Sequence, residues 1–179
     1  MKNNLNIVEK IKKFVEDECK KPEACFKGAY ERHFVPVRNY AVKLARELGA
    51  DVEIVEIAAW LHDIASIKGN YKDHHLVGAE IAKKKLKEFY YPEEKIEIIK
   101  KCILNHRGSV NNLKESLEEK IIAEADTMSH FDDVEGLLIQ WGDKDFIKEK
   151  LKRSYLKLSF QESRDLIKPK YEAAMLLLK

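Results

Sequence analysis

Residues 58–69 read AAWLHDIASIKG, an uncharged apolar run that closes on His62 and Asp63 side by side. An imidazole and a carboxylate at the end of a helix meant for burial cost free energy unless hydrogen bonds or an ion meet them. The run is long enough for a helix: Asp51 is a cap, Ile54, Val55, Ala58 and Leu61 face inward, and the chain turns near Gly69 and Asn70 after Ile64. This places the His-Asp pair in a last helical turn.

The same periodicity extends in both directions. Leu5, Val8, Ile11 and Val15 mark a helix over 5–19, and Phe34, Val37, Ala41, Leu44 and Leu48 mark one over 34–48 that stops at Gly49. Downstream, a helix runs from Asp73 through Ile81 and Leu86 to Phe89. The next starts at Pro92 and carries Ile96, Ile99 and Ile103 to His106, with its stop at Gly108. After the polar loop GSVNNLKES comes a sixth helix with Leu117, Ile121, Ile122 and Ala125 inward and Asp126 on or beside that face. The segments FDDVEGLLIQW (131–141) and KDFIKEKLKRSYLKL (144–158) keep the helical pattern and read as scaffold or lid. The tail becomes helical after Pro169, with Ala174, Leu176 and Leu177 packing on the bundle or on a second copy in a homodimer. With 7 Gly, 4 Pro and no sustained alternation, strands have no support. The expectation is an all-α fold, a single-domain helical bundle over 1–179.

Composition narrows the function. Of 179 residues 36% are charged, yet 33 Lys and Arg balance 31 Asp and Glu, for a net charge of +2. Lysine faces such as AKKKLKE (82–88) are interleaved with Glu and lack aromatics, so no nucleic-acid partner is expected. Cys19, Cys25 and Cys102 form no CxxC pair or disulfide framework and read as packing residues in a reducing compartment. No apolar segment suits a signal peptide or a membrane span, and the expected location is cytoplasmic.

Polar residues stranded at the ends of apolar stripes remain: His33, His62, Asp63, His74, His106 and Asp126, from five helices. Bundles build metal sites by aiming such side chains from several helices at one centre. Imidazoles with carboxylates and no thiolate suit Mn, Fe, Mg or Zn in an open site. Of the adjacent His74 and His75, helical geometry lets only one face a given ion.

The order His33, then LHDIA (61–65), then a distant Asp126 resembles the HD domain superfamily of metal-dependent phosphohydrolases. DHHLVGAEIA (73–82) is similar to the family's His segment, and ILNHRGS (103–109) to its later His, so the likeness covers about 28–130. It implies an HD-type bundle with one or two divalent ions per chain, of Mn, Fe, Mg, Ni, Co or Zn. It also implies a first ion held by His33, His62, Asp63 and Asp126, with Asp63 bridging to a second held by His74 and His106. The implied function is hydrolysis of a phosphoester or phosphoanhydride, of a small substrate such as a nucleotide, by a metal-activated hydroxide. Asp63 and His62 would be central to that catalysis, with Lys68 and Arg107 as phosphate clamps. His130, one turn after Asp126, is either a pocket-mouth residue or a surface histidine, and Trp60 reads as core. Where single-metal relatives keep a Glu three residues after the doublet, this chain has Ser66, which with the spare histidines favours the two-metal form. The same ligand order also serves HD-type diiron oxygenases, and a nucleotide-binding signalling module is a third reading.

Overall fold

A computed structural model describes residues 5–107 and 113–179 and is helical throughout, with no strand among the described residues. The elements are α1 (Ile7–Lys20), a π turn (Tyr30–Phe34) running into α2 (Val35–Leu48), α3 (Val52–Leu61), a short α4 (Ile64–Ile67) and α5 (His74–Glu88). They continue as α6 (Glu93–Asn105), α7 (Leu117–Ser129), α8 (Val134–Trp141), α9 (Lys144–Lys157) and α10 (Gln161–Leu177). Gly108 and most of the polar loop after it lie outside the described residues.

The centre is α3. Asp51 caps it, accepting from the amides of Glu53 (3.0 Å) and Ile54 (3.1 Å). Ile54, Val55 and every residue from Ile57 to Leu61 are buried, as expected of a helix apolar on all sides. Helices α1, α2, α6 and α7 pack around it. Gly49, at φ +77°, lets α2 end in a left-handed cap. One hydrophobic cluster runs from Ile11 in α1 to Leu178 beyond α10.

Several expectations change. Helix α3 stops at Leu61 and the chain re-enters α4 at Ile64, so His62 and Asp63 form a break between helices instead of a last turn. Asp63 sits at φ −113°, ψ 16°, near the bridge region where active-site residues are frequent. Helix α10 begins at Gln161 and contains Pro169 instead of starting after it. In the tail Ala174 is buried, whereas Leu176 and Leu177 are exposed and Leu178 takes the inward place; at the other end Leu5 is exposed. Cys19 and Cys102 pack as expected, but Cys25 is exposed. No helix of the described residues is long and apolar enough to cross a membrane.

Candidate metal centre

Each predicted ligand reaches the centre for a local reason. His33 belongs to the π turn, in which the Val35 amide bonds to the Tyr30 carbonyl five residues back. Pro36 has no N–H to continue an ordinary helical ladder there, and the wider turn rotates His33 inward. The break after α3 turns His62 and Asp63 the same way. His74 opens α5, His106 follows α6, and Asp126 sits in the last turn of α7. Gly78 brings α5 close to the break: a Cβ there would lie 3.5 Å from the His62 carbonyl.

Five of the six side chains converge as two clusters that share Asp63, one with His33 and His62, the other with His74 and His106, and Asp126 stands beside the first. His33 Nε2 lies 3.4 Å from Asp63 Oδ2 and 2.9 Å from His62 Nε2. Asp126 Oδ1 stands 3.7 Å from His33 Nε2 and 3.8 Å from His62 Nε2. On the other side Asp63 Oδ1 is 3.4 Å from His74 Nε2 and 3.7 Å from His106 Nε2, and those two nitrogens are 3.2 Å apart.

All four rings are held by their other nitrogen. The Nδ1–H groups of His62, His74 and His106 donate to the carbonyls of Ala59 (2.8 Å), Tyr71 (2.8 Å) and Ile103 (2.6 Å). His33 Nδ1–H donates to the Ser129 hydroxyl at 3.2 Å, because that hydroxyl gives its own proton to the Asp126 carbonyl at 2.7 Å. Every neutral Nε2 therefore faces inward as a bare lone pair. Two such pairs at 2.9 and 3.2 Å repel unless a proton or a metal cation lies between them, so the donor set fits a divalent ion.

The electrostatics agree. Burial opposes ionisation of Asp63, but the neighbouring His106, His33 and His62 rings outweigh it and hold the carboxyl well below its usual range. Asp126 is likewise lowered against burial, by His130, His62 and His33. Burial disfavours imidazolium at His33 and His106, yet the nearby carboxylates raise both. His62, fully buried, is pushed down to about 4 by desolvation despite Asp63. The two anions call for positive charge between the rings.

His33 and Asp63 border a cleft of about 460 Å³. Ser66, in place of an acid, lies on that cleft and donates to Asp63 Oδ1 at 3.1 Å. His130 lines the cleft too, and burial pushes it down to about 4, leaving a neutral ring whose Nδ1 accepts from Lys150 Nζ at 3.3 Å. Neither expected clamp lines it. The Lys68 ammonium is spent on Glu18, tying α4 to α1, and Arg107 Nη1 donates to the Lys72 carbonyl at 2.8 Å. Of the adjacent histidines, His74 joins the cluster, whereas His75 is buried elsewhere with no hydrogen-bond partner for Nδ1 among the described residues. Trp60 is core, stacked on Tyr30 with ring centroids 5.5 Å apart. Sequence reasoning missed Ser129 and Lys150. Ser129 was accessible, since it follows Asp126 by three on one helix face. Lys150 was not, because it lies in a segment that shows no chemistry of its own.

The sequence profile of the HD domain matches residues 30–130, more than half of the chain. The chain belongs to the HD domain family. Similar proteins at the sequence level match only in part. An uncharacterized protein of Clostridium beijerinckii is 40% identical over 80 residues, covering 42% of this chain and 51% of that one. A tRNA (cytidine(56)-2'-O)-methyltransferase of Picrophilus torridus is 30% identical over 115 residues, covering 56% and 31%. The match thus spans about half or less of the length of these relatives. Solved structures share the HD fold along nearly the whole chain. YpgQ of Bacillus subtilis aligns with a TM-score of 0.74 at 17% identity, covering 96% of this chain and 91% of that one, and it has also been solved in complex with ADP. An HD-superfamily hydrolase of Bacillus thuringiensis aligns with a TM-score of 0.72 at 18% identity, covering 95% and 91%.

Proposed function

We propose that this HD protein is a metal-dependent phosphohydrolase that cleaves a phosphoester or phosphoanhydride of a small substrate, most consistently a nucleotide. One observation carries the reading: the Nε2 lone pairs of four histidines are aimed at each other around a shared carboxylate. His33, His62, Asp63 and Asp126 would hold one divalent ion, and Asp63, His74 and His106 a second. Bound there, such ions supply Lewis acidity that polarises a phosphoryl oxygen and lowers the pKa of water into the neutral range.

The chain's own residues do the remaining work. The three backbone carbonyls and Ser129 fix each imidazole as a neutral ligand, which removes a reorganisation step when substrate arrives. Ser66 steadies one oxygen of Asp63. The apolar walls around Phe34 and Ile67 thin the water near the centre and strengthen its charges. A cleft of about 460 Å³ falls in the size range of small-molecule sites, and the ADP complex of YpgQ supports a nucleotide as occupant.

The test is phosphate and pyrophosphate release over nucleoside mono-, di- and triphosphates with added Mn²⁺, beside His62→Ala checked for native helicity. Release that disappears in the variant is expected. Release retained by the variant refutes the reading. No release from either protein, with iron retained under anaerobic purification and oxygen taken up on substrate addition, would instead place the chain with the diiron oxygenases.

A further inference from the structure

Lys150 of α9 lines the cleft and stands outside the HD-matched residues. Its surroundings are unusual for a lysine. Of the cleft's other cations, Arg32 pairs with Asp133 at 2.5 Å, and Lys27 is exposed to water and donates to the carbonyls of Lys21 (3.2 Å) and Pro22 (2.8 Å). Lys150 is half-buried and, among the described residues, has no carboxylate within 4.0 Å. Its hydrogen-bond partner is the neutral His130, at 3.3 Å, and its ammonium stands 5.9 Å from the centre of the Trp141 ring. An ammonium partly withdrawn from water, with Asp126 acting on it only from beyond salt-bridge distance, is costly, and the cost is recovered when an anion enters.

Position gives the anion's identity. Asp126 faces His33 and His62, His130 follows Asp126 by one helical turn, Lys150 bonds to His130, and Trp141 comes next, stacked on Phe146 with centroids 4.8 Å apart. The cleft thus passes from the metal centre to Lys150 to an aromatic end. A phosphoryl group at the metal centre leaves Lys150 beside the next group along the substrate, ahead of whatever rests on Trp141.

We propose that Lys150 is a substrate-binding residue that holds a second phosphate, one that is not attacked, and so selects nucleoside di- and triphosphates over monophosphates. This rests on the hydrolase reading above. His130 is its positioning residue: a neutral acceptor that fixes the ammonium without cancelling its charge.

The experiment compares wild type, Lys150→Ala and Lys150→Arg in two arms. In the kinetic arm, Lys150→Ala is expected to raise KM for nucleoside di- and triphosphates about tenfold or more. KM for monophosphates and the bound metal content should stay within about twofold, and Lys150→Arg should recover most of the loss. An equal change for mono- and polyphosphates, or none, overturns the proposal. The binding arm titrates inorganic tripolyphosphate into the Mn²⁺-loaded proteins by calorimetry and needs no turnover. If wild type hydrolyses nothing yet binds tripolyphosphate about tenfold more tightly than Lys150→Ala, the hydrolase reading fails and the anion site stands. Equal binding by the two proteins, or none by wild type, overturns the site.

Discussion

Ser129→Ala isolates how the first cluster is held. The Ser129 hydroxyl, in a residue only 2% exposed, accepts from His33 Nδ1 at 3.2 Å and donates to the Asp126 carbonyl at 2.7 Å. Removing it strands a buried Nδ1–H, at about 1–3 kcal/mol. Alanine returns roughly 0.5 kcal/mol in helix propensity, so the fold should lose no more than about 2.5 kcal/mol. The larger effect falls on the ion. Freed of its acceptor, the His33 ring can place its proton on Nε2 and close the lone pair meant for metal. Removal of such a supporting hydrogen bond typically weakens metal binding about 10–100-fold, or roughly 1.4–2.7 kcal/mol. Calorimetric titration of Mn²⁺ or Zn²⁺ into metal-free protein reads this directly, with urea denaturation for the fold and Ser129→Thr restoring the hydroxyl. Alanine and wild-type proteins that bind metal within about twofold of each other would refute the argument that Ser129 sets the His33 tautomer.

Further predictions follow from single contacts. His74→Ala should lower bound metal, measured by mass spectrometry, from two ions per chain toward one, while His75→Ala should leave it unchanged because His75 is in neither cluster gathered on Asp63. Lys68→Ala should leave KM for nucleotides within about twofold, since its ammonium serves Glu18 and not the cleft. Burial acts to raise the Glu18 pKa, but hydrogen bonds from Lys21 and Lys68 override it and hold the group below its usual 4.5. Its contribution to stability is therefore complete above that value and is lost as pH falls through the lower folded pKa. Urea midpoints of Glu18→Gln and wild type should differ at neutral pH and converge in acid; a constant difference contradicts the pairing. Gly49→Ala meets open space but must adopt φ +77°, so thermal denaturation should report a loss of about 1 kcal/mol with metal binding intact.

The features that the sequence made legible are those whose physics is local. Burial of Ile96, Ile99 and Ile103 follows from a spacing, the cap at Asp51 from one residue and its neighbours, and the inward aim of His106 from its place at the end of that stripe. His62 and Asp63 after α3, His106 after α6 and Asp126 in α7 stood out because those helices offered no other reason to end an apolar face in a titratable group. What escaped depends on distance along the chain. Nothing near Lys68 announces Glu18, 50 residues earlier, so a lysine beside the doublet looked like a clamp until the fold supplied its partner. Lys150 fails in the opposite sense: it sits among lysines, and only packing of α9 near α7 leaves it half-buried with no carboxylate within 4.0 Å among the described residues. Charge at a given position carries little information by itself, because a lysine's role is decided by which anion it meets, and that is a tertiary fact. The candidate metal centre stood out early for the converse reason. Burying an imidazole beside a carboxylate is costly in any fold, so the sequence pattern already implies a compensating ion, whereas a surface lysine implies nothing until its surroundings are known.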